Sequence, residues 1–203
     1  MLNIITACSR QKNLSTIFRS INFDLVDNWF IVYDTSKSRS YNFMFQTYEK
    51  IKELECDQSG VCGHPQINYA LDLITSGFVY ILDDDNLIHP NFWNILPKLD
   101  INSIYTWDQS RNFNLSTRKE SIMKGGNITK GQIDTAQFIV PIQYIGKTRW
   151  VTNERCGDFK FISSIHKTHK SKFVYIPKTC SYWNHLQTSF LIDKQPKMKM
   201  NLF

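Results

Sequence analysis

Apolar residues in this chain gather in short dense runs separated by stretches of helical spacing. Residues 2–7, 29–33 and 78–82 are runs of four or more mostly apolar residues, rich in β-branched and aromatic types. Runs that lack polar alternation read as strands covered on both faces. Between them, Leu14, Ile17, Phe18 and Ile21 recur at helical spacing and predict a helix over 13–21. Residues 65–75 predict another, with Pro65 in its first turn and Gly77 just past its end. The spacing predicts a helix with an aromatic face over 41–54, and a short one over 91–96 after Pro90. Strands alternating with helices imply βαβ units and a mainly parallel sheet, whose ligands sit at the carboxyl ends of the strands. Three predicted strand ends carry polar chemistry: residues 6–10, 34–36 and 83–85. Beyond about residue 102 the pattern is less regular. Strands are expected at 103–107, 136–140 and 173–176, a helix at 157–164, and a Gly-rich loop at Lys124-Gly125-Gly126-Asn127.

Composition narrows the class. At 203 residues, with 42% hydrophobic and 21% charged, the chain can bury a real core, which excludes disorder and coiled coil. No apolar run approaches the ~20 residues of a membrane span, and the start lacks the pattern of a signal peptide. A cytoplasmic protein is therefore expected. The five cysteines form no CxxC pair, which suits reduced thiols. Cys56 and Cys62 would make a metal half-site, but no second half follows. The net charge of +6 is modest, its lysines are dispersed, and no zinc-finger or RNP-like motif accompanies it. Nucleic acid is not the expected partner.

The sharpest feature is Asp83-Asp84-Asp85 behind the buried run 78–82. In extended chain Asp83 and Asp85 project to one side and Asp84 to the other. Two carboxylates on one side at a sheet's carboxyl edge suit a hard divalent cation, Mn²⁺ or Mg²⁺.

The segment GHPQINYALDLITSGFVYILDDDNLIHPNFW, residues 63–93, resembles the nucleotide-sugar core of GT-A glycosyltransferases. The opening residues 3–10, the strand ending at Asp34-Thr35-Ser36, and the segments 133–138 and 154–159 are similar to further parts of that family. Closest in character is the small glycosyltransferase domain of the large chlorella viruses, which builds capsid glycans. The resemblance implies an α/β fold of GT-A, Rossmann-like type: a mostly parallel central sheet flanked by helices, with a less regular acceptor-side half. It implies one domain over 1–203. Residues 1–100 would bind the nucleotide-sugar, 101–192 would carry the acceptor and catalytic half, and 193–203 would be a tail or a linker into a following domain. The implied activity is metal-dependent, inverting transfer from a UDP-sugar, UDP-rhamnose or UDP-glucose first, to a glycan hydroxyl.

By the same resemblance Thr6, Ala7, Cys8 and Arg10 would line the nucleotide, with Arg10 near the phosphates. Asp34 would meet the base with Ser36 beside it, and Asn68 would face the nucleotide, although Ile67 replaces the family's usual arginine. Asp83 would face the ribose or donor sugar, Asp85 would bind the metal, and Asp84 also matches acidic positions in relatives. His185 would be a late metal ligand, ahead of His166 and His169, which read as exposed. Asp158 would be the catalytic base, with Glu154 the alternative. Trp150 and Trp183 are candidates for stacking on sugar rings and equally for the core. Two other readings stay open: a non-catalytic UDP-sugar or glycan-binding domain, and a nucleotidyltransferase. The latter usually has a glycine-rich loop after the first strand, and residues 7–12 contain no glycine.

Overall fold

The structure, a computed structural model, describes residues 1–36, 40–114 and 119–186. The predicted tail at 193–203 lies outside the described residues. The first half comprises β1 (Leu2–Cys8), α1 (Leu14–Ser20), β2 (Asn28–Asp34), β3 (Ile51–Cys56), α2 (His64–Leu71), β4 (Phe78–Ile81), β5 (Leu87–Ile88) and α3 (Pro90–Ile95). The second comprises β6 (Ile104–Asn114), β7 (Lys119–Met123), β8 (Phe138–Pro141), α4 (Ile142–Ile145), α5 (Gly157–His169) and β9 (Phe173–Trp183). Among the described residues nine strands make one sheet in the order β3-β2-β1-β4-β8-β6-β9-β5, with β7 paired to β6. The β3-β2-β1-β4 block is parallel throughout. β8 runs antiparallel between β4 and β6, and β9 returns parallel to β6.

The apolar runs divide across this sheet as strand alternation requires. Ile4, Trp29, Ile31 and Tyr80 face a layer built with Leu14 and Ile17 of α1 and Phe92 and Ile95 of α3. Ile5, Phe30, Val32, Val79 and Ile81 face the other, built with Ile67, Ala70 and Leu71 of α2 and Phe161, Ile162 and Ile165 of α5. Covering both faces explains why these strands carry so little polar alternation.

Two expectations are corrected. Residues 41–54 form no helix: 40–50 are irregular and β3 follows. Glu53 explains the difference, because its carboxylate accepts from the backbone N–H of Met44 (2.8 Å) and Phe45 (2.7 Å). Those amides are thereby committed away from a helical ladder, while Tyr41 and Phe43 stack on Tyr33. The second half is also more regular than its sequence suggests, since β6 and β9 each run for 11 residues. Register shifts between Trp107 and Gln109 mark a bulge where β6 bends past β9, and the bulge breaks the apolar alternation there.

The tip of the Gly-rich loop is fixed by Asp108, a buried carboxylate on β6. It accepts from Lys124 Nζ (2.7 Å), Tyr175 Oη (2.7 Å) and the Gly125 amide (3.2 Å). A Cβ at Gly125 would run into the Trp107 carbonyl, with the Trp107 nitrogen at 2.9 Å. Gly131 has φ +77° but open space around it. Gly125→Ala should therefore cost about 1–3 kcal/mol or more from overpacking. Gly131→Ala should cost only about 1–2 kcal/mol from backbone strain. Urea denaturation of both variants checks the order, and equal losses would refute the close backbone approach at Gly125.

Candidate functional site

The carboxyl ends of β1, β2 and β4 open into a cleft of about 340 Å³. Its walls include Ala7, Cys8, Ser9 and Arg10 from the exit of β1, Asp34 from β2, and all three residues of the aspartate triplet. Gly63 and Gln66 enter from α2, Asp158 from the start of α5, and Thr135 and Asn184 close the far side. Gly63 has φ +73°, and a Cβ there would collide with Ala7, so the start of α2 packs directly on the end of β1.

The triplet does not continue as extended chain. A turn, closed by the Asn86 amide on the Asp83 carbonyl (3.0 Å), follows Leu82. The turn separates Asp83 from Asp85 and pairs Asp84 with Asp85 instead, which corrects the alternation expected from the sequence. Asp84 is buried and fully engaged. Its Oδ2 accepts from the Ser9 amide (2.7 Å), the Ser9 hydroxyl (3.0 Å) and the Arg10 amide (2.6 Å), and its Oδ1 pairs with the Arg10 guanidinium. The same guanidinium reaches Asp85 at 2.7 Å. Asp84 thus builds the loop at the wall of the cleft, and Arg10 spans two of the three charges.

Asp83 turns to the other wall. Its Oδ2 accepts from the Thr135 hydroxyl (2.9 Å). Burial, then the charges of Asp134, Asp158 and Asp85, push its carboxyl well above the usual range. Asp158 is pushed up to about 7, by burial first and Asp134 second. The Trp150 indole N–H (3.2 Å) and the charge of Arg111 partly offset that shift.

Other expected residues lie elsewhere. Thr6 is buried beneath the sheet edge, its hydroxyl accepting from Trp29 Nε1 (2.9 Å). The Asn68 amide grips both backbone groups of Trp150, at 2.9 Å each, and is not among the residues that line the cleft. Ser36 closes a turn on the Asp34 carboxylate (2.5 Å through its hydroxyl). His185 lies in the turn whose Leu186 amide donates to the Asp85 carbonyl (2.9 Å), packed on the Tyr182 ring (5.2 Å). Burial lowers its pKa. Glu154 pairs with Lys160 at the surface. Trp150 is a core residue stacked on Phe161 at 3.5 Å. His166 and His169, expected to be exposed, are half-buried against the rings of Phe173 and Tyr144. Cys56 is buried and Cys62 exposed, and neither is bridged.

Sequence reading missed Ser9, Cys62, Gln66, Thr135 and Asn184 as cleft residues. It also missed Asp134, whose side chain caps the short helical turn 135–137 reciprocally with Gln137. The D-T-A-Q spelling of that capping box was the available signal.

No protein-family model and no curated protein matches the chain. Solved structures do. S. aureus TarS residues 1–349 align with TM-score 0.64 at 13% identity, covering 89% of this chain and 59% of that one. The TarS 1–349 complex with UDP-GlcNAc aligns with TM-score 0.63 at 14% identity, over 89% and 57%. The complex with UDP aligns with TM-score 0.59 at 12% identity, over 89% and 59%. The chain thus spans under three fifths of these TarS structures, and its fold is the Rossmann-like glycosyltransferase fold. Among the described residues no helix is long and apolar enough to cross a membrane.

The raised Asp158 carboxyl links stability to pH. Its favourable contribution is complete below the unfolded carboxylate range and is lost as pH rises through about 7, where the folded group ionises at a cost. Asp158→Asn should therefore melt about 2–4 °C above the parent at pH 8, equivalent to about 1 kcal/mol for this half-buried group. The two should coincide at about pH 3, below the unfolded carboxylate range, and diverge progressively from there up to about pH 7. A variant that melts below the parent at pH 8 would show that the carboxylate is welcome there.

Proposed function

We propose that this chain transfers a sugar from a UDP-sugar to a glycan hydroxyl, with inversion, in the cleft between the aspartate triplet and α5. One observation carries the reading. Asp158, whose carboxyl burial pushes up to about 7, lines the same cleft as the strand ends of β1, β2 and β4, where this fold class holds its ligands. A carboxylate that ionises near neutrality suits removal of a proton from an attacking hydroxyl. The TarS complexes with UDP-GlcNAc and UDP supply the donor class. Asp34 at the end of β2 would meet the base. The backbone of residues 7–10 would line the ribose and diphosphate, and Asp83 with Thr135 would face the donor sugar.

A divalent cation fits the charge of the site. Among the described residues, the cleft lining sets Asp34, Asp84 and Asp85 against Arg10, which already spans two of them, while burial disfavours charge on Asp83 and Asp158. A diphosphate adds more negative charge. No group of three or more His, Cys, Asp or Glu forms a cage among the described residues. Mg²⁺ or Mn²⁺ here would be held by a carboxylate together with substrate phosphates. Asp85 would hold it, with His185 of the neighbouring turn a second candidate. The cation would stabilise the departing diphosphate. A viral capsid glycan as acceptor rests on the sequence resemblance alone.

Calorimetric titration with UDP, with and without Mn²⁺, tests the donor site. Binding should strengthen with Mn²⁺, and Asp85→Ala should lose that gain. Asp158→Asn should keep UDP binding while transfer from UDP-GlcNAc, UDP-glucose or UDP-rhamnose falls by about 10²–10⁴-fold. Absence of UDP binding overturns the reading, and unchanged turnover in Asp158→Asn removes that residue from it. Binding without turnover on any acceptor would favour the non-catalytic domain.

A further inference from the structure

Trp183, one of the two tryptophans considered for a sugar, does not enter the core as Trp150 does. It ends β9 half-buried, and one face of its ring is taken by the Arg111 guanidinium, 4.7 Å from the ring centre. The two residues are cross-strand partners on β6 and β9. Arg111 Nε donates to Gln109 Oε1 (3.2 Å), and Gln109 Nε2 donates to Asp134 Oδ1 (3.1 Å). Earlier on β6, Trp107 Nε1 donates to the Ala136 carbonyl (2.8 Å). β6 thus crosses the turn that follows Asp134 and passes its edge at Asp134, where Arg111 Nη2 stands 3.8 Å from Asp134 Oδ2.

Topology brings this group to the cleft. β8 is antiparallel to both β4 and β6, and β9 is parallel to β6, so β4, β6 and β9 point the same way. Arg111 and Trp183 therefore stand toward the sheet edge at which β1, β2 and β4 open into the cleft. β6 lies two strands from β4, about 10 Å at ordinary strand spacing. The chain adds two links. Thr135, next to Asp134, lines the cleft and donates to Asp83 (2.9 Å), and Asn184, next to Trp183, lines it as well.

Arg111 and Asp134 are held in place without spending all their hydrogen-bonding groups. At 3.8 Å the two are too far apart for a hydrogen bond. Asp134 Oδ1 is engaged, taking the Ala136 amide (3.2 Å) besides Gln109. Among the described residues, Asp134 Oδ2 and the Nη atoms of Arg111 make no hydrogen bond, and none of them is buried. A donor edge and an acceptor oxygen thus stand side by side, fixed from behind, with their charges opposed. We infer that they form an acceptor subsite for a neutral pyranose: one sugar hydroxyl accepts from Arg111 Nη2, and its neighbour on the ring donates to Asp134 Oδ2. Trp183 serves the subsite by holding the guanidinium flat. Adjacent hydroxyls can both give and accept, whereas a phosphate or carboxylate, which only accepts, would face the Asp134 charge. The inference rests on the reading of the cleft as a sugar-transfer site.

Methyl glycosides of glucose, galactose and rhamnose are the neutral probes, with methyl glucuronide and inorganic phosphate as the anionic ones. In ¹⁵N-labelled protein, the Arg111 Nε–H signal is the one that disappears in Arg111→Lys. At least one neutral glycoside should shift that signal in the parent protein, with UDP present or absent. The indole signal that disappears in Trp183→Phe should shift at the same glycoside concentration. Asp134→Asn keeps a helix-capping side chain and should fold. It and Arg111→Gln should each weaken glycoside binding about tenfold or more. Arg149→Gln, which removes a guanidinium from the pair with Asp72, should leave it unchanged. A retained indole spectrum shows that each variant is folded. No shift at Arg111 with any neutral glycoside, with or without UDP, overturns the inference. So does a response to methyl glucuronide or phosphate alone, which would make the guanidinium an anion site. UDP binding without any glycoside response leaves the sugar-transfer reading standing and removes this subsite. Glycoside binding at Arg111 in a protein that does not bind UDP keeps the sugar site and overturns the transfer reading.

Discussion

The site depends on one buried carboxylate. Asp84 takes two backbone amides, a hydroxyl and a guanidinium, all from Ser9 and Arg10, and so fastens the exit of β1 to the turn after β4. Hydrogen bonds to a charged, desolvated group are among the strongest a protein makes, and a buried charge without them is among its largest costs. Three consecutive aspartates would otherwise repel one another at the end of an apolar strand. Arg10 turns that repulsion into a bridge between two of them. Asn13 adds a bond from its side chain to the Asp84 carbonyl (2.8 Å), so the loop after β1 is held along its length. The floor of the cleft is rigid before any ligand arrives.

The opposite wall works by a different balance. Burial is the first cause that disfavours charge on Asp83 and Asp158; the charge of Asp134 adds to it at both, and that of Asp158 adds to it at Asp83. What keeps the arrangement tolerable is its neighbours: the Thr135 hydroxyl on Asp83, the Trp150 indole on Asp158 and Arg111 beside Asp134. The floor is settled by ion pairing and the wall is left poised. That division matches the division of labour in the proposed reaction, in which one side holds a diphosphate and the other moves a proton.

Much of this was legible from sequence, and what was not has identifiable causes. The buried strands and the polar ends of β1, β2 and β4 follow from dense apolar runs that stop at Ser9, Asp34 and Asp83. The false helix over 41–54 had a plausible aromatic spacing, but a carboxylate twelve residues into it captured two of its amides. Asn68 looked like a ligand-facing polar residue because sequence cannot show that a distant backbone, that of Trp150, satisfies it. Arg111 escaped notice because the bulge at Trp107–Gln109 ends the readable alternation before β6 reaches it, whereas Asp134 lies in a capping box at 134–137 that the sequence spelled out. The triplet itself was legible as chemistry and misread as geometry, since a turn rather than a strand carries it.

Trp107 is not alone in reaching the Ala136 carbonyl. The Ser181 hydroxyl donates to it at 2.8 Å and the Tyr80 hydroxyl at 3.3 Å, so β4, β6 and β9 all converge on one oxygen beside Asp134 and Thr135. That oxygen belongs to the main chain. No substitution at position 136 can delete it, and each donor that seeks it comes from a different strand. The hub can be weakened one spoke at a time but has no single codon on which it depends.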